Sequence, residues 1–137
     1  MASLLLFIIF LMLSLLHFYW SLGGLWGFEN SLPTKETGKR VLNPTKFDSA
    51  IVGIGLAAFA SFYLFSSDLI NNYLPTWLTN YGGWIIPSVF IIRAIGDFKY
   101  VGFFKKVRQT NFGKKDTLFY SPLCMGIGLI GIVIKLI

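Results

Sequence analysis

The charge-free N-terminal stretch constrains this fold more than any other feature of the sequence. The first 28 residues carry no Asp, Glu, Lys or Arg, and an α-helix over residues 4–24 would extend roughly 30 Å, the thickness of the hydrocarbon core of a bilayer. The stretch has no basic N-terminal region, and aromatic residues at 17–20 stand where a signal peptide carries small cleavage-site residues. We therefore predict a spanning helix rather than a cleaved signal peptide.

Three further apolar stretches predict three further spans. They cover residues 49–67, 83–104 and 118–136. The composition agrees, because 55% hydrophobic and 13% charged residues lie outside the range of soluble domains. We predict an all-α membrane protein, with residues 1–137 as one domain that forms a compact bundle of four transmembrane helices. Pro87 and Pro122 are expected to mark the first turns of spans three and four.

The basic residues predict the orientation of the bundle. Ten of the twelve Lys and Arg residues lie between spans one and two or around the link between spans three and four, namely Lys35, Lys39, Arg40, Lys46, Lys99, Lys105, Lys106, Arg108, Lys114 and Lys115. The positive-inside rule places both basic loops in the cytoplasm and both termini outside. The net charge of +6 is then explained by topology, so the bilayer is the expected partner and nucleic acid is not.

Aromatic residues mark the link between spans two and three. Tyr73, Trp77, Tyr81 and Trp84 recur at spacings of four and three residues. Amphipathic rings of this kind favour the membrane–water boundary. We predict a short interfacial segment here.

Span three contains three charged residues, Arg93, Asp97 and Lys99, and the first two predict a site. Arg93 and Asp97 are four residues apart, so they share one helix face and can pair, which would offset the cost of placing charge in the membrane. His17 lies at a similar depth in span one. These three side chains are predicted to line a small polar cavity in the cytoplasmic half, with Tyr19, Trp20 and Tyr120 near its inner mouth. The alternative is that they pair among themselves and only fix the packing of the helices.

Metal and cofactor chemistry receive little support from the sequence. The chain has one histidine and one cysteine, Cys124, which lack the paired spacing of a metal site. We predict no metal site and assign no cofactor. Small residues in spans two and four, among them Gly53, Gly128 and Gly131, are predicted to form helix contacts.

Three segments together resemble a known family. They are residues 17–27, which begin His17-Phe18-Tyr19-Trp20, residues 93–106, which begin Arg93-Ala94-Ile95-Gly96-Asp97, and residues 116–124, which begin Asp116-Thr117-Leu118-Phe119-Tyr120. Nearly the whole chain resembles the small bacterial four-span membrane proteins of domain-of-unknown-function family 3995. The resemblance implies a bacterial cytoplasmic membrane protein and supplies no activity, cofactor or catalytic residue.

Asp116 falls within the last of these segments. It lies four residues before Tyr120 at the predicted start of span four. The helix dipole favours a carboxylate at a helix N-terminus. We expect Asp116 to cap this helix, with an ion pair to Lys105, Lys106 or Arg108 as the alternative.

The sequence leaves three functions open. The first is binding or transport of a small polar or amphiphilic ligand, and transport would require a homo-oligomer because four helices are too few to alternate access alone. The second is a membrane enzyme on a lipidic substrate, with proton exchange between His17 and Asp97 and with Arg93 stabilising negative charge. The third is an accessory subunit of another membrane protein.

Overall fold

The described part of the chain is helical. The computed structural model describes residues 2–24, 26, 32, 35, 37, 39, 45–67, 74–96 and 101–136. The elements are α1 (Ala2–Ser21), α2 (Lys46–Phe65), α3 (Thr76–Ile95), α4 (Asn111–Lys115), a π-helical turn (Asp116–Tyr120) and α5 (Ser121–Leu136). The last three follow one another without a break and are called the C-terminal helix below. These ranges contain no strand, so the all-α prediction is confirmed.

Three of these helices are long and apolar enough to cross a membrane. They are Ala2–Ser21, Lys46–Phe65 and Phe112–Leu136. They indicate a multi-pass membrane protein. The remaining long helix, α3, has 20 residues but is less apolar on average than the others, because it includes polar residues such as Asn80 and Arg93.

The first pair of long helices, α1 and α2, packs antiparallel. Phe18 near the end of α1 lies against Gly53 near the start of α2, whereas Phe10 stacks on Tyr63 near the end of α2. Inside this pair, the buried Ser14 hydroxyl donates to the Gly53 carbonyl over 2.7 Å. Glycine at position 53 favours this close approach, because an added Cβ would lie 3.2 Å from the Phe18 ring and the ring would have to shift slightly.

The second pair, α3 and α5, is also antiparallel and also relies on glycine. A Cβ on Gly128 would lie 2.4 Å from Ile91 Cγ1, and a Cβ on Gly131 would lie 2.5 Å from Pro87 Cγ. Either distance is too short for a real contact, so larger residues would force the helices apart. The predicted helix contacts at Gly53, Gly128 and Gly131 are confirmed.

An aromatic layer joins the two antiparallel helix pairs, α1 with α2 and α3 with α5, which are called hairpins below. Phe10 of α1 is fully buried, and its ring centroid lies 5.7 Å from Phe59, 5.8 Å from Tyr63 and 5.2 Å from Phe90. Because Phe59 and Tyr63 belong to α2 and Phe90 belongs to α3, this one side chain of α1 contacts two other helices. Ring pairs at these separations add about 0.5–1.5 kcal/mol each beyond simple burial.

Helix α3 begins and ends earlier than the predicted third span, residues 83–104. It starts after Pro75, whose carbonyl accepts from the Thr79 amide over 3.0 Å. It ends at Gly96, whose φ of +87° leaves the helical region and favours glycine.

The predicted interfacial segment is therefore wrong from Thr76 onward. Trp77, Tyr81 and Trp84 share an exposed face of α3 itself, because spacings of four and three residues return to one side of a helix. Tyr73 lies outside the described residues.

The predictions for the two prolines are also wrong, because both lie inside helices. Pro87 is in the interior of α3. Pro122 follows the π-helical turn, in which the Ser121 amide donates to the Asp116 carbonyl five residues back. Pro122 has no amide hydrogen and its ring crowds the preceding turn of an α-helix, so a widened turn just before it relieves the conflict.

Candidate functional site

A buried ion cluster lies where α3, the loop after it and the C-terminal helix meet. The Asp116 and Lys105 side chains are both fully buried. Asp116 Oδ1 lies 3.1 Å from Arg93 Nη2, and Asp116 Oδ2 lies 3.2 Å from Lys105 Nζ. The Gly102 amide also donates to Oδ2 over 2.7 Å. Three donors thus compensate the carboxylate for its loss of water.

The ammonium group of Lys105 is equally well satisfied. It donates to the Gly102 carbonyl over 3.0 Å and to the Thr117 hydroxyl, besides its contact with Asp116. Three ammonium hydrogens therefore have three acceptors. Among the residues that the structure describes, the cluster contains two cations and one carboxylate, which leaves a formal excess of one positive charge.

Two glycines bring the loop into position. Gly96 and Gly102 have φ values of +87° and +91°, and a Cβ on Gly102 would lie 2.3 Å from the Ile95 carbonyl oxygen. The Phe103 amide also donates to the Ala94 carbonyl over 2.7 Å. Residues 101–103 thus lie tightly against the end of α3, which aims the Gly102 amide at Asp116.

The outcome for Asp116 corrects the sequence expectation. The C-terminal helix begins at Asn111, five residues before Asp116, and Thr110 caps it by accepting from the Gly113 amide over 2.9 Å. Asp116 therefore does not cap this helix. The alternative of a pair with Lys105 is confirmed.

A cavity of about 590 Å³ adjoins this cluster. Four of the predicted site residues line it, namely His17, Trp20, Arg93 and Tyr120. Tyr19 is not among its lining residues; it is 44% exposed and packs on Gly24. Asp97 lies outside the described residues. Within the described part of the chain, Arg93 pairs with Asp116.

The polar groups of the cavity gather at one end. The polar end is defined by residues near the end of α1, the start of α2, the end of α3 and the π-helical turn, namely His17, Trp20, Asp48, Arg93 and Tyr120. The apolar end lies deeper in the bundle and is lined by Leu13, Leu56, Phe59, Phe90 and Ile127. The cavity is therefore amphipathic, whereas the sequence predicted a small polar cavity.

Arg93 retains capacity to bind. Its side chain is 33% exposed, and its Nη2 is engaged by Asp116, but Nη1 is buried and has no hydrogen-bond partner among the described residues. Because an unpaired guanidinium nitrogen in an apolar setting is costly, an acceptor in the cavity would be stabilised there.

His17 and Trp20 are held by local hydrogen bonds. The His17 Nδ1 contact with the Leu13 carbonyl is 2.7 Å long, and since a carbonyl only accepts, Nδ1 carries the proton and Nε2 is the acceptor in the neutral ring. Trp20 packs edge-on against His17 and donates from Nε1 to the Trp26 carbonyl over 2.8 Å.

Sequence reasoning missed several residues that line this cavity, Asp48 and Leu32 among them. Asp48 lines the cavity while it forms a capping box with Thr45, with distances of 2.9 and 3.2 Å. The Thr-x-x-Asp spacing is a signal that could have located the start of α2. Leu32, from the loop between α1 and α2, is buried against the cavity, and nothing in its sequence surroundings indicates this.

Groups of three or more metal-ligating side chains do not occur within the part of the chain that the structure describes. The described site combines an amphipathic cavity with a buried ion cluster, and the cluster holds Arg93 at the polar end of the cavity.

Comparison with known proteins gives one positive result. No curated protein and no solved structure matches the chain. Residues 10–131 match a family described as "Protein of unknown function (DUF3995)". The match covers far more than half of the 137 residues and includes α2, α3 and every residue of the polar end. The chain belongs to the DUF3995 family.

Proposed function

We propose that this protein binds a single-chain amphiphile with an anionic group in its headgroup. In this proposal the headgroup lies at the polar end of the cavity, against Arg93, and the hydrocarbon chain lies between the aliphatic and aromatic side chains of the apolar end. The observation that carries the proposal is the buried, unpartnered Arg93 Nη1 beside a cavity of about 590 Å³. That volume lies within the range of about 300–1,000 Å³ typical of small-molecule sites.

The electrostatics of the polar end favour an anion with an attached donor. The ion cluster carries a formal excess of one positive charge, and Arg93 is its member at the cavity. Asp48 adds a carboxylate that also lines the cavity, so a headgroup that combines a phosphate with an ammonium group would satisfy both. Lysophosphatidylethanolamine has this chemistry and serves as the probe.

The membrane setting is part of the same proposal. We infer that α3 is a fourth span, since its 20 residues match the other helices in length and it packs against α5 along its apolar side. The polar end would then face the cytoplasm of a bacterium, because the basic loop of Lys105, Lys106 and Arg108 adjoins it, and both termini would lie outside. Transport of the ligand, as opposed to binding, would require a homo-oligomer.

Cys124 provides a direct test of occupancy. It is the single cysteine of the chain and it lines the cavity half-buried. We expect lysophosphatidylethanolamine to slow the reaction of Cys124 with N-ethylmaleimide in a saturable manner, measured by mass spectrometry of the intact protein. An unchanged labelling rate at every probe concentration would contradict the proposal.

A cavity-filling variant should abolish this protection. Gly55 lines the cavity and a Cβ added there meets no atom within 4 Å, so Gly55→Leu extends a side chain into the space that the hydrocarbon chain would occupy. We expect at least a tenfold rise in the Kd for lysophosphatidylethanolamine. Gly126→Leu is the matched control, because Gly126 also has open space around its Cβ position but does not line the cavity. Equal affinities in the two variants would exclude binding in this cavity.

A further inference from the structure

A second, smaller cavity lies at the other end of the bundle, where α2 and α5 end. Its volume is about 190 Å³, enough for several waters or one small ion. Its lining residues are Phe62, Tyr63, Ser66, Thr79, Gly83, Gly131, Ile134 and Lys135. We propose that this cavity is a binding site for a small monovalent anion, such as a halide or a carboxylate, held between Lys135 and the hydroxyl of Tyr63.

Tyr63 is the first observation that points to a ligand. Its side chain is 99% buried, and its hydroxyl has no hydrogen-bond partner among the described residues. A buried hydroxyl without a hydrogen-bond partner destabilises the folded protein. The hydroxyl lies close to Gly131, since a Cβ there would be 3.1 Å from the oxygen, and both residues line this cavity. An acceptor inside the cavity would remove the penalty.

Lys135 supplies the charge. Its ammonium donates to Asn80 Oδ1 over 3.1 Å, which uses one of its three hydrogens. Its aliphatic part lies across Gly83, where a Cβ would be 2.8 Å from Lys135 Cδ. Lys135 is the one charged residue among the described residues that line this cavity, so the local field favours an anion.

The remaining polar groups limit the size and charge of the occupant. The Ser66 and Thr79 hydroxyls donate to the carbonyls of Phe62 and Pro75, so their hydrogens are already committed. The donors left for a ligand are the Tyr63 hydroxyl and two ammonium hydrogens of Lys135. One cation and three hydrogens suit a monovalent anion with a few waters, whereas a phosphate dianion would lack a second positive charge.

Chloride and formate are suitable probes. With purified full-length protein, we expect saturable broadening of the ³⁵Cl NMR line and a saturable rise in Tm with chloride or formate at constant ionic strength, relative to gluconate. Tyr63→Phe and Lys135→Met should each abolish both effects. Tyr81→Phe, on the exposed face of α3, and Lys106→Met are matched controls that should leave them unchanged.

The Tyr63→Phe variant separates a binding site from a mere packing defect. If the hydroxyl is simply unsatisfied, its removal raises the Tm by the same amount in chloride, formate and gluconate, and the proposal fails. If the hydroxyl donates to an anion, the variant loses Tm only in chloride or formate. Absence of saturable binding by both probes in the unmodified protein would also overturn the proposal. None of these outcomes depends on occupancy of the larger cavity.

Discussion

Asp116→Asn is expected to lower the free energy of unfolding by about 3–5 kcal/mol, the usual cost of removing one partner from a buried ion pair. The asparagine would leave the fully buried Lys105 ammonium and the Arg93 guanidinium without a compensating charge. The side-chain amide nitrogen of the asparagine is a donor, and it would face a nitrogen donor of Arg93 or Lys105. The loss should appear as a large fall in Tm of the purified protein and in unfolding by a denaturing detergent.

A second variant shows whether the loss comes from uncompensated charge. Asp116→Asn combined with Lys105→Met removes one buried cation as well, and we expect it to recover a substantial part of the stability. Asp48→Asn is the control for a helix carboxylate outside the cluster, with an expected loss of about 0.5–2 kcal/mol from its capping box. If Asp116→Asn were no more harmful than Asp48→Asn, the ion cluster would not be a major stabilising feature.

Deletion of Phe119 should be as damaging as the loss of Asp116 itself. A π-helical turn holds one more residue than an α-helical turn, so this deletion lets the C-terminal helix become regular. The regular turn covers the same rotation with one residue fewer, so the segments on either side of it keep nearly the same relative orientation. The cost arises at Pro122, which would then lie in a regular helix interior, where a proline costs about 3 kcal/mol.

Phe119→Ala is the matched control for this deletion. The Phe119 side chain is 63% exposed, so its truncation keeps the register of the helix and removes few contacts within the protein. We expect the deletion to lower the Tm far more than Phe119→Ala does. Equal Tm values for the deletion and Phe119→Ala would refute a role for the widened turn in accommodating Pro122.

Much of the helical architecture could be predicted from hydrophobicity alone. Apolar runs located α1, α2 and α5 within a few residues, because a helix that faces lipid must be apolar over most of its length. The depth of charged residues also indicated Arg93 as part of a site. The start of α3 was placed too late because Trp77, Tyr81 and Asn80 interrupt the apolar pattern, although Pro75 gave a usable signal.

The ion pair between Arg93 and Asp116 could not be predicted, for a physical reason. Spacing along one helix indicates a neighbour four residues away, whereas Asp116, which lies 3.1 Å from Arg93, is 23 residues further along the chain in the C-terminal helix. Such long-range contacts depend on loop geometry that hydropathy does not encode. The π-helical turn could not be predicted either, because Pro122 is compatible both with a helix start and with a widened turn inside a helix.

The pairing of the long helices into two hairpins bears on how a ligand enters. Within each hairpin, glycines hold the backbones in close contact, whereas the two hairpins contact each other much less, through α1 against α5 and through the ring of Phe10 against Phe90. Aromatic faces can slide and re-stack, but helices locked at glycine cannot separate without breaking their fit. A ligand could therefore be loaded sideways from the lipid by parting one hairpin from the other, while each hairpin stays intact.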